Sequence, residues 1–155
     1  TILAFSINEV RIIPGLFILI PGFLEMRGNI SGSLSARLSS ALFLKFTKPR
    51  IRKNLVLREN VLAALVLGII VSFILGTVAY LTGMVIFGIT SPMIIVVAVL
   101  AGIISNFIEV PLTVFFTLWL FKKGHDPSNI MGPYVTTIGD IISILAILFA
   151  IMVLL

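Results

Sequence analysis

The chain has no cysteine and a single histidine, His125. Without cysteine, disulfides, thiolate metal sites and cysteine nucleophiles are excluded. One histidine excludes the multi-histidine centres of zinc enzymes. Charge is scarce as well: 11% of the 155 residues are charged, against about 25% in a soluble domain. Strict period-2 alternation is missing, which argues against transmembrane strands. No basic stretch followed by a small-residue cleavage site opens the chain, so its start does not read as a signal peptide.

What remains is apolar. Hydrophobic residues make up 59% of the chain and the mean hydropathy is +1.25. The apolar residues fall in long runs. One begins near Ile12 and carries on, with polar interruptions, to about Phe46. The others are Val61 to Leu81, Met93 to Phe121 and Asn129 to Leu155. Each reaches the roughly 20 residues that a helix needs to cross a bilayer. The short run Thr1 to Ile7 reads as the tail of a further helix. The expectation is an all-α integral membrane protein, a five-helix bundle with an incomplete first helix, forming one domain over residues 1–155.

Charge in the loops predicts an orientation. Lys45, Lys48, Arg50, Arg52, Lys53 and Arg58 lie between the first two full helices, and Lys122 and Lys123 precede the last one. The stretch Thr82 to Ser91 is uncharged. Basic loops stay on the cytoplasmic side. Loops 45–58 and 122–128 are therefore expected in the cytoplasm and the C-terminus outside, in a plasma membrane. The net charge of +5 then faces anionic lipid rather than nucleic acid.

Polar groups inside apolar segments are costly and call for a reason. In the first full helix, Gly28, Gly32, Ala36 and Ser40 recur every four residues, a stripe that lets another helix approach closely. Asn29 beside it lines either a hydrated path or a packing contact. Glu25 and Arg27 either mark an unusual boundary or pair with other charges. Pro21-Gly22 predicts a kink or local unwinding. Gly68, Ser72 and Gly76 form a second stripe, assigned to packing. Glu109, near the middle of the third segment with Asn106, is a cation or coupling site or a buried structural bond. In the last helix Asp126 and Pro127 suit a helix start. Asn129, Pro133, Thr136, Asp140 and Ser143 follow at spacings of three and four, on one face. That face reads as the wall of a hydrophilic path.

The candidate ligands all offer oxygen: Asp140, Glu109, Glu25, Asp126, Asn29, Asn129, threonine and serine hydroxyls such as Thr136, and freed backbone carbonyls. Oxygen-only sites suit hard cations such as Mg2+ and Ca2+. Mg2+ gives up water reluctantly and usually binds through one or two carboxylates. An enzyme is not expected, because the nucleophile and metal centres that most membrane enzymes need are missing.

Two stretches resemble a known family. Arg27-Gly28-Asn29 with Ser35-Ala36-Arg37-Leu38-Ser39, and Asp126-Pro127-Ser128-Asn129 with Gly132-Pro133-Tyr134-Val135-Thr136-Thr137-Ile138-Gly139-Asp140, are similar to the MgtE and solute carrier family 41 magnesium transporters. The resemblance runs from about Arg11 to the C-terminus. It implies five-helix units that pair as a homodimer around a central Mg2+ pathway. It also implies that Asp140 is the main ligand and that Gly28 and Asn29 line the path. Ser33 stands where the bacterial branch commonly has glutamine, which favours the solute-carrier-like branch. Two other readings stay open: a Na+- or H+-coupled exchanger that uses Glu109 as the coupling carboxylate, and a structural membrane subunit with no path.

Overall fold

The computed structural model describes residues 2–51, 54–88 and 91–154, with side chains from position 14 onward. Four helices follow one another: α1 (Ile2–Phe43), α2 (Leu55–Phe87), α3 (Met93–Lys122) and α4 (Pro127–Leu154). Among the described residues there is no strand.

Among the described residues four helices stand where five were expected. The run at the N-terminus is not a separate helix, because α1 continues from Ile2 without a break. Asn8, Glu9 and Arg11 interrupt the hydropathy, but polar residues do not end a helix as proline or glycine would. The expected unwinding at Pro21-Gly22 is not observed either, since α1 stays helical through Pro14 and Pro21. α2 begins earlier than its apolar run. Asn54 caps it, its side chain accepting from the Leu57 N–H, so the first turn extends beyond the hydrophobic span. At the other end Gly88 adopts φ 63°, a left-handed C-cap that glycine takes without strain.

α2, α3 and α4 are each long and apolar enough to cross a membrane. α1 is diluted by Glu25, Arg27, Asn29 and its serines. The distribution of side chains fits lipid. Large apolar residues such as Leu62, Val66, Ile70 and Phe73 are turned outward on α2. The same helix buries Ala64, Gly68, Ser72, Gly76, Ala79 and Gly83. Small residues inside and large apolar ones outside are what helices pack with when lipid, not water, surrounds them.

The helices form a ring in chain order, with α1 and α3 also touching across the middle; α2 and α4 do not meet among the described residues. The α2–α3 seam is the tightest. A Cβ added at Gly68 would collide with the Asn106 amide, one at Gly102 with Ser72, and one at Gly76 with Ala98. The second stripe therefore packs, as expected. The first behaves differently: Gly32 has nothing within 4 Å of a built Cβ, and Ala36 and Ser40 are exposed.

Candidate functional site

An open groove of about 300 Å³ runs between α1 and α4, lined by Glu25, Gly28 and Asn29 on one side and by Gly132, Thr136 and Asp140 on the other. Five of the eight residues singled out as ligands thus meet in one place. Gly28 faces Thr136 across the groove: a Cβ at that position would stand 3.5 Å from the Thr136 methyl, an ordinary contact.

The groups in this groove keep acceptor oxygen free. Asn29 donates its amide N–H to Glu25 Oε1 at 3.1 Å, one turn away, which leaves its carbonyl oxygen unused. Thr136 donates its hydroxyl to the Pro133 and Gly132 carbonyls at 3.0 and 3.2 Å, and its oxygen accepts no hydrogen bond among the described residues. Asp140 is half-buried and makes no side-chain hydrogen bond or ion pair among the described residues. Among the described residues no three acidic or histidine side chains cluster. The groove lining offers two carboxylates, Glu25 and Asp140, and neutral oxygens from Asn29 and Thr136.

The other three candidates lie elsewhere. Asp126 sits at the start of α4, where it accepts from the Ser128 N–H at 2.9 Å and the Ser128 hydroxyl at 2.6 Å. Asn129 donates to Asp126 across 3.4 Å. These two tie down the helix start and do not line the groove. Glu109 is inside the bundle. Its Oε2 lies 2.7 Å from Arg27 Nη2 and accepts from Ser31 at 3.2 Å, and its Oε1 accepts from Ser143 at 3.4 Å. Ser143, expected on the hydrophilic face, therefore turns inward toward α3. It lies one turn beyond Gly139, where a Cβ would come within 3.2 Å of Glu109 Oε1.

Arg27 carries most of this inner cluster. It is fully buried, and it also donates to Asn106 Oδ1. Its Nε has no partner. Sequence reasoning named Arg27 and Glu109 separately. The signal that could have joined them was available: two opposite charges, each costly in lipid, in two different apolar segments. Asn106 and Ser31 complete the cluster without any sequence motif.

No match was found among curated proteins or solved structures. A family model, described as the MgtE divalent cation transporter, matches residues 20–151. The match contains every helix residue that lines the groove and the whole inner cluster, and the chain belongs to the MgtE family of divalent cation transporters.

Proposed function

We propose that the chain conducts Mg2+ along the groove between α1 and α4, with Asp140 as the principal ligand. Glu25, the Asn29 carbonyl oxygen and the Thr136 hydroxyl complete a set that holds the ion with part of its water, beside the bare backbone at Gly28. The observation that carries this reading is the convergence of Glu25, Asn29, Thr136 and Asp140 on one open groove, where Asp140 has no side-chain partner among the described residues. Hard oxygen donors favour Mg2+ and Ca2+ over softer metals, and a water-retaining site with few carboxylates favours Mg2+.

The groove is open along one side, and in a bilayer an open polar face needs cover. A second copy of the chain, packed on the unfilled Gly32, Ala36 and Ser40 stripe, would close it into a path. Residues 1–155 act as one domain in this reading, with the membrane being the plasma membrane. The orientation follows loop charge. Phe43 and Phe121, whose rings are 5.2 Å apart, bring the two basic loops to one end of the bundle. That end faces the cytoplasm, and the C-terminus lies outside.

The test is Mg2+ flux into proteoliposomes. Asp140→Asn keeps the side-chain shape and removes the charge, and it is expected to lower flux at least tenfold with melting behaviour unchanged. Unaltered flux in the folded variant overturns the assignment.

A further inference from the structure

A second and larger hollow, about 820 Å³, lies on the far side of the bundle between α2 and α3. It exists because the small-residue stripe of α2 ends at Ala64. Beyond it the positions facing α3 are Val61 and Leu57, which hold the helices apart. The trough walls are apolar, with Leu65, Phe107, Val114 and Phe115, while Asn54 and Arg58 stand at its loop end.

We propose that this trough binds one anionic glycerophospholipid, with its phosphate at Arg58 and an acyl chain along the apolar wall. Lipid tails are as apolar as leucine, so the wall alone selects nothing in a bilayer. Selection has to come from the head of the trough, and that end is basic. Arg58 is exposed and makes no ion pair among the described residues. Asn54 pins the basic loop to this end. Its amide donates to the Lys48 and Arg50 carbonyls at 3.2 and 3.0 Å, while its oxygen accepts from Thr47 at 2.7 Å. The nearest acid in sequence, Glu59, lies about 100° further round the helix from Arg58 and does not line the trough. Basic pockets between membrane helices recognise lipid phosphates in this way. Phe107 and Phe115, 68% and 54% exposed, present open walls to the bilayer, from which a lipid enters sideways.

The test is native mass spectrometry of the full chain, titrated with phosphatidylglycerol or with phosphatidylcholine of the same chains. The expected result is retention of one phosphatidylglycerol under activation that strips phosphatidylcholine. Arg58→Gln should lower that retention about fivefold, the effect of one basic charge near an anionic head group, and Arg58→Lys should restore it. Val114→Trp, which fills the trough and leaves the charge, should abolish retention of either lipid. Equal retention of the two lipids, or no effect of Arg58→Gln, overturns the proposal. So does a photo-crosslinker at Phe107 that captures a second copy of the chain in place of lipid.

Discussion

Arg27 and Gly28 are neighbours in the chain, as are Gly139 and Asp140, yet each pair divides between two unlike polar regions. Arg27 and the flank of Gly139 belong to an interior cluster in which Glu109 is bonded by Arg27, Ser31 and Ser143. Gly28 and Asp140 belong to a groove whose oxygens have few partners. One residue along a helix is a rotation of about 100°, enough to turn a group from the interior to the open face. The difference shows two ways in which a polar group is tolerated among apolar helices. It is neutralised by the protein, or it is left on an open face with few protein partners. The first holds α1, α3 and α4 together, and the second is where the proposed cation would bind.

The interior cluster should be the easier region to break. Glu109→Gln leaves a buried guanidinium without its counter-charge, and removing one partner of a buried pair costs about 3–5 kcal/mol. The expected result is a large drop in melting temperature in detergent. The double variant Arg27→Gln, Glu109→Gln should recover much of it, because coupled residues are not additive. A loss below about 1 kcal/mol would mean that the pair is hydrated, and the contrast between the two regions would fail. If Glu109→Gln stays folded and loses only a Na+ or pH dependence of flux, the coupled-exchange reading gains instead.

The sequence showed a great deal of the open region and little of the closed one. That Asp140, Thr136, Asn29 and Gly28 line one groove was foreshadowed because polar residues repeat at helical spacing within single helices and carry motif residues. All-helical architecture and the apolar character of α2, α3 and α4 were legible from hydropathy and scarce charge. The closed cluster joins three helices, with Arg27 and Glu109 82 positions apart, and no local pattern encodes which buried charges meet. The helix count went wrong for a related reason. Hydropathy reports where lipid would be comfortable, whereas backbone continuity through Asn8 to Arg11 depends on the absence of a breaker. The two glycine stripes looked alike in sequence. Only the positions of neighbouring helices separate the packed stripe on α2 from the uncovered one on α1.

That separation gives a middle-sized effect. Gly68 faces the amide of Asn106, which itself accepts from Arg27. A methyl group there has to displace a member of the interior cluster. Gly68→Ala is expected to destabilise by about 1–3 kcal/mol, the range for overpacking a filled seam, measured by thermal or denaturant unfolding. A neutral result would show that the α2–α3 seam is looser than its geometry.

Gly32→Ala should have the smallest effect on the fold, and for that reason it is the sharpest probe of the groove. A Cβ at this position meets nothing within 4 Å, and alanine is the better helix former by up to about 1 kcal/mol. Stability of the single chain should stay level or rise slightly. A destabilisation of the size expected for Gly68 would mean that the groove is filled within one chain. The bulkier Gly32→Leu separates fold from assembly. If a second copy closes this face, the leucine wedges the two chains apart. Self-association in detergent and Mg2+ flux should then fall together while the melting of the monomer holds. If association is untouched by leucine at position 32, the second copy does not cover the stripe, and the cation path must be closed on another face.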